Sequence, residues 1–206
     1  AEGYNMILVD ISEKACDVYG EMSSVNKLIS TLDKNGTTNS FYKCNLTNLK
    51  NTNKIFNQIF KRYKKIDGFI FNAGGDIAGK NINADGSKPK NNDLDISFED
   101  NEIIMDRNYL TCFNSFKASI PFLKKQKFGS IVTTSSMTAN QGVEKEISYA
   151  VAKSAVAELT RSAALVMREY NVNINSIAPG GTLTGRFEST IKSRSKKDLE
   201  KIFSKS

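Results

Sequence analysis

The chain has 206 residues, 39% hydrophobic and 25% charged, with a formal net charge of +7. That is the balance of a globular protein with room for one substantial core. No apolar run approaches the ~20 residues that span a bilayer, and no basic-then-apolar leader opens the sequence. The lysines alternate with Asp and Glu, and no zinc finger, RRM or basic zipper is present, so neither membrane nor nucleic acid is expected as a partner. The basic patches at Lys61–Lys65 and Lys192–Lys197 read as solvated faces and a basic tail. Cys16, Cys44 and Cys112 are widely spaced with no CxxC, which fits a reducing, cytoplasmic setting and no metal site. The chain has no histidine, so any proton transfer near neutral pH needs another residue.

In chain order, Asn5–Asp10 is a short apolar run ending at an acid, the pattern of a buried strand. Val25, Leu28, Ile29 and Leu32 recur at helical spacing and Gly36 follows as a stop. Ser40–Cys44 is a weaker strand, and Ile55, Phe56, Ile59, Phe60 and Tyr63 mark a second helix. Ile66–Gly75, "IDGFIFNAGG", is a strand running into a glycine turn. Asp76–Phe98 is polar and without period, a long loop of the kind that often carries function. Ile103 to Leu123 predicts one long helix, bent before Pro121. Gly129–Ser136 is a strand, Ser148–Tyr170 a helix, and Val172–Gly181 a strand ending in a loop; the tail from Arg186 is basic and weakly helical. Strands alternating with helices predict a doubly wound parallel sheet, three layers α/β/α, in one domain. Such sheets bind ligands beyond the carboxyl ends of their strands, where Asp10, Asn45, "NAGG", "TTSS" and "PGG" fall.

"SYAVAK" places Tyr149 and Lys153 at i and i+4, on one helix face. An ammonium beside a phenol favours the phenolate and draws its pKa down from ~10, so Tyr149 could exchange a proton with an alcohol or carbonyl oxygen. Ser136 ends the preceding strand, where its hydroxyl could hold the same oxygen. Such a pair alone is more often a tyrosine and a lysine on an ordinary helix.

Read together, "NAGG", "TTSS", "YAVAK" and "IAPGG", in that order from Asn5 to about Phe187, resemble the short-chain dehydrogenase/reductase family. The resemblance implies a Rossmann-like fold, a nicotinamide cofactor, and hydride transfer to or from a small alcohol or carbonyl substrate. It implies that Tyr149 is the catalytic acid/base, that Lys153 assists it and binds the nicotinamide ribose, and that Ser136, rather than its neighbour Ser135, orients substrate. Asn108 in "DRNYL" matches the asparagine that anchors a relay water. Asn72, Ala73 and Gly74 match the cofactor turn "NNAG", with Phe71 in place of its first Asn, which puts one sheet-bracing hydrogen bond in doubt. Pro179 and Gly180 match the segment beside the nicotinamide; Thr184 matches a threonine contacting the cofactor, with Thr182 nearby. Asn45 stands near the adenine. Asp10, where the family selects its cofactor, would accept both ribose hydroxyls of NAD and repel a 2′-phosphate, and no arginine adjoins it in sequence, so NAD is favoured over NADP. A homo-oligomer, dimer or tetramer, paired through the helices around Asn108 and Tyr149 is implied by the family alone.

The family opens with a strand and a "TGxxxGxG" turn whose N–H groups hold pyrophosphate. Nothing upstream of Asn5 matches it, and the family's last strand has no match after the tail. The resemblance therefore implies a truncated domain over 1–206, a gap beside the Asn5–Asp10 strand, and a piece that alone binds NAD weakly and is inactive. Three functions stay open: an NAD-dependent dehydrogenase of alcohols such as sugars or polyols, suited by the polar 76–98 loop; an NADPH-dependent 3-oxoacyl thioester reductase; and a non-catalytic binding module on the same fold.

Overall fold

The computed structural model describes residues 3–33, 36–77, 88–185 and 187–188. Residues 78–87 of the expected loop, and all but 187–188 of the basic tail, lie outside them. The element order is β1 (Ile7–Asp10), α1 (Val25–Asp33), β2 (Ser40–Lys43), α2 (Leu49–Tyr63), β3 (Gly68–Phe71), α3 (Phe98–Met105), a π-helical turn (Asp106–Leu110), α4 (Thr111–Gln126), β4 (Gly129–Thr134), a 3₁₀ turn (Met137–Asn140), α5 (Ile147–Met167), a second 3₁₀ turn (Arg168–Tyr170) and β5 (Val172–Ile177).

Local chemistry sets the helix ends. Asn48 caps α2 by accepting the Asn51 N–H, and Lys64 closes it in the left-handed conformation (φ 62°), with Lys61 and Arg62 in the last turn. Ser97 caps α3 by accepting the Asp100 N–H, with Glu99 and Asp100 in the first turn. The predicted long helix changes geometry at Asp106–Leu110, while Pro121 is carried inside α4. Two side chains bond backbone carbonyls in and before the π turn. The Asn108 amide donates to Ile104 O (2.9 Å) and the Thr111 hydroxyl to Arg107 O (2.9 Å), supplying donors to carbonyls of the irregular turn.

All strand pairs are parallel, but they form two sheets: β1–β2, with Ile7 opposite Ser40, and β3–β4–β5, with Gly68 opposite Ser130 and Gly129 opposite Val172. The continuous sheet implied by strand–helix alternation is interrupted between β1 and β3, where the resemblance leaves a strand unmatched. The core belongs to the second sheet. Ile131 of β4 and Val172 and Ile174 of β5 pack with Cys112, Phe116 and Leu123 of α4 and with Val156, Ala163 and Met167 of α5. Phenylalanines link the halves: Phe60 of α2 stacks on Phe122 of α4 at 4.0 Å between centroids, Phe56 on Phe69 at 6.2 Å, and Phe71 meets Phe116 edge to face at 5.1 Å. Phe71, where the resemblance puts a sheet-bracing hydrogen bond in doubt, is packed between Phe69 and Phe116. Asn114 of α4, 2% exposed, donates to Leu46 O (2.8 Å) and Thr47 O (3.0 Å) and ties the chain after β2 to the larger sheet's helices. Among the described residues no helix is long and apolar enough to cross a membrane.

Candidate active site

The functional segments gather at the carboxyl ends of the strands. After β3 the chain turns through Gly74 (φ 151°) and Gly75 (φ 154°). Asn108 holds this turn with its whole side chain: Oδ1 accepts the Gly75 N–H at 2.8 Å and Nδ2 donates to Gly75 O at 2.9 Å. Gly74 must be glycine, because a Cβ there would collide with Asn108 Oδ1 and come within 3.3 Å of Lys153 Nζ. That close approach joins the glycine turn to the expected proton-transfer helix. Asn108 is 1% exposed, and its amide is spent on backbone rather than on an open site.

Lys153, 4% exposed, donates from Nζ to Thr134 O at the end of β4 (2.8 Å) and lies 5.6 Å from the centre of the Tyr149 ring. Tyr149 is half-buried on the first turns of α5. The two neighbouring serines divide their work. Ser135 Oγ donates to Lys153 O (2.9 Å), so it fastens β4 to α5. Ser136 Oγ accepts from the Thr138 hydroxyl (2.9 Å) and the Thr138 N–H (3.3 Å). Backbone bonds from Ser135 N to Ile177 O (2.8 Å) and from Met137 N to Pro179 O (3.0 Å) zip this segment to "IAPGG". Thr182 Oγ1 donates to Gly180 O at 3.3 Å, and Thr184 Oγ1 accepts the Phe187 N–H at 3.2 Å, starting a short helical turn.

On the side of the smaller sheet, a cavity of about 430 Å³ opens among Asp10, Asn45, Ala73, Gly74, Arg107 and Thr111. It brings together four of the expected cofactor residues from three strand ends. Asp10 is exposed, and Oδ1 accepts the Ser12 N–H at 3.2 Å. Atoms packed around its carboxyl raise its pKa from the usual value by desolvation, opposed by the N–H groups of Ser12 and Ile11. Asn45 Oδ1 accepts the Thr47 N–H (3.0 Å) and hydroxyl (2.8 Å). Tyr149, Ser136, Asn72 and the Pro179–Thr184 segment do not line this cavity; Lys153 approaches it behind Gly74.

Three features escaped the sequence reading. Arg107, remote from Asp10 in sequence, lines the same cavity. Glu21 Oε1 accepts the Gly185 N–H at 2.8 Å, tying the loop after β1 to the loop after β5. Lys88 bridges Asp76 (2.8 Å) and Glu146, while Asn92 Nδ2 donates to Asp76 Oδ2 (2.9 Å) and Asn92 O accepts the Glu146 N–H (2.6 Å). This clip fastens the loop after the glycine turn to the residue that opens α5, itself held at φ 65°. The loop's density of Asp, Asn and Lys was its sequence signal; the partners were not.

The model of the short chain dehydrogenase family matches residues 1–195. The oxidoreductase UcpA of Salmonella typhimurium is 28% identical over 201 residues, 97% of this chain and 68% of that protein. The NADP-dependent mannitol dehydrogenase of Alternaria alternata is 30% identical over 155 residues, 74% of this chain and 53% of that protein. A 7α-hydroxysteroid dehydrogenase solved with NADH and 7-oxo glycochenodeoxycholic acid superposes with a TM-score of 0.76 at 23% identity, over 96% of this chain and 68% of that one, a likeness of fold. The chain belongs to the short-chain dehydrogenase family, whose class is the oxidoreductases acting on CH–OH groups.

Proposed function

We propose that the chain is the cofactor and proton-transfer domain of a dehydrogenase that moves hydride between a nicotinamide dinucleotide and a small alcohol or carbonyl. The observation that carries this reading is the gathering of Gly74, Asn108 and Lys153: the glycine turn that would face the cofactor is braced by Asn108, and a side chain at Gly74 would come within 3.3 Å of Lys153 Nζ. The residues fit a dinucleotide. The cavity takes a ribose-binding acid (Asp10), an amide (Asn45) and a glycine turn at three strand ends, and Pro179, Gly180, Thr182 and Thr184 extend from the end of β5. When bound, the cofactor donates or accepts the hydride. The chain's own residues do the rest. Tyr149 passes a proton to or from the substrate oxygen, Lys153 holds positive charge beside the phenol, Ser136 donates a hydrogen bond to that oxygen, and Asn108 fixes the turn and the helix on which the relay depends.

We infer NAD as the preferred cofactor, because the exposed Asp10 carboxylate suits a ribose diol and repels a 2′-phosphate. Arg107 supports a second reading, since a guanidinium in the same cavity could pair with that phosphate. For substrate we favour hydroxyl-rich alcohols such as polyols over 3-oxoacyl thioesters. The loop after the glycine turn is dense in Asp, Asn and Lys, which suits hydrogen bonding to a hydroxyl-rich substrate; among the described residues, Asp76 Oδ1 and Asn92 Oδ1 in its clip are buried acceptors with no donor, which internal water would satisfy. Exposed Val151, Leu165 and Val166 on α5 suit pairing of two copies. The test is steady-state turnover of the full-length protein carrying this sequence, with NAD and NADP, on mannitol, xylitol, a 7α-hydroxy bile acid and a 3-oxoacyl thioester. Tyr149→Phe is expected to lower turnover by about 10²–10⁴-fold. Unchanged turnover in that variant would sink the catalytic reading and leave the non-catalytic module.

A further inference from the structure

We propose that Thr138 is a positioning residue that commits Ser136 to act as a hydrogen-bond donor toward the substrate oxygen. The inference rests on the dehydrogenase reading above and adds a residue that neither the resemblance nor the sequence motifs single out. A serine hydroxyl has one hydrogen and two acceptor lone pairs. At Ser136 the Thr138 hydroxyl donates to Oγ at 2.9 Å and the Thr138 N–H at 3.3 Å. Both lone pairs are engaged, and the hydroxyl hydrogen is what remains to offer. A group that can only donate favours the oxygen as it gains negative charge and cannot take the alcohol's proton. Proton acceptance therefore falls to Tyr149 alone.

The geometry is held on every side. Ser136 is 8% exposed, with extended backbone (φ −158°, ψ 155°) as it enters the 3₁₀ turn. The turn carrying Thr138 is tied to α5 through Ser154 Oγ, which donates to Ala139 O at 3.0 Å. It is tied to the loop after β5 through Met137 N–H and Pro179 O, also at 3.0 Å. Ala139 N donates to Ser136 O at 3.0 Å, closing the turn on itself. Thr138 thus reaches Ser136 from a support anchored to the same helix that carries Tyr149 and Lys153.

The experiment is a double-mutant cycle in the full-length protein, reading kcat and KM on the substrate from the panel above that it turns over fastest. The variants are Thr138→Val, Thr138→Ser, Ser136→Ala, Ser136→Ala with Thr138→Val, and Tyr149→Phe as control. Thr138→Val keeps shape and loses the side-chain donor; it is expected to lower kcat about tenfold with KM changed less than about twofold. Thr138→Ser keeps the donor and is expected to restore most of the rate. In the Ser136→Ala background the Thr138→Val loss should vanish, because Thr138 would act only through Ser136. Full activity in Thr138→Val, or a tenfold loss that persists without the Ser136 hydroxyl, overturns the assignment while Ser136→Ala and Tyr149→Phe remain impaired. Undiminished turnover in Tyr149→Phe is the separate outcome that overturns the parent reading.

Discussion

The two sheets of this molecule are packed to different depths. Among the described residues, β1 and β2 have no fully buried side chain, and Val25 alone is buried on α1. Ile131 and Thr133 of β4 are fully buried, and β4 and β5 share one core with α4 and α5. The chemistry follows the same division. Lys153, Asn108, Ser135 and Ser136 are buried around the larger sheet, while Asp10 and Asn45, the residues expected to greet the far end of a dinucleotide, are exposed beside the smaller one. Proton transfer needs fixed geometry, because an error of an ångström is costly. Recognition of a ribose diol tolerates a more open setting, provided the carboxylate stays charged and hydrated. On the function proposed above, the lightly packed half is the place where cofactor preference would change without disturbing Tyr149 and Lys153.

That contrast can be broken most forcefully at the core. Phe116→Ala, at 2% exposure and against Phe71, is expected to cost about 3–5 kcal/mol in urea unfolding of the chain. Leu8→Ala on the half-buried β1 should cost clearly less; equal losses would show that the halves are equally packed. At the smaller sheet, Asp10→Ser is expected to shift the ratio of kcat/KM for NADP over NAD upward by about tenfold, with kcat on NAD little changed. An unchanged ratio would move cofactor choice to Arg107. The gentlest probe is alkaline pH. Burial pushes the Cys112 thiol up to about 12, with Lys153 opposing the shift, while the unfolded thiol ionises near its ordinary value of 9.0. The folded state then holds a proton that the unfolded state releases, so this contribution to stability is full below pH ~9 and is lost as pH rises toward ~12. Cys112→Ala should flatten that decline in melting temperature. Thiol labelling should likewise take the half-buried Cys16 before the buried Cys44 and Cys112.

Much of this was legible in the sequence because its signals are local. Strands such as Gly129–Thr134 are unbroken apolar or β-branched runs, and α5 repeats its small apolar residues at helical spacing. The Tyr149–Lys153 pair is a matter of i and i+4. What was not legible depends on atoms far apart in the chain. The apolar pattern around Asp106 does not announce a π turn, and the Asn108 amide within it also bonds a glycine turn 33 positions away. The Glu21–Gly185 contact joins residues 164 positions apart. Arg107 and Asp10 are far apart in the chain yet line one cavity, because cavities are built across the fold. Likewise only three dimensions distinguish the two serines: the Ser135 hydroxyl donates to the Lys153 carbonyl, and the Ser136 hydroxyl accepts from Thr138.

Dividing five strands into two sheets also bears on how the chain behaves in a crowded solution. Among the described residues, β4 alone has a strand on each side; β1, β2, β3 and β5 each pair along one rim, and the backbone N–H and C=O groups of the other rim meet no described strand. Rims of this kind invite another chain to add on, and charges or prolines are the usual guards against it. The β3 rim, Gly68-Phe-Ile-Phe71, has neither, and its Ile70 is 68% exposed. When the 206-residue chain is concentrated, association between copies should begin there. A lysine at position 70 is the conservative way to keep copies apart, since that side chain is not part of the phenylalanine stack.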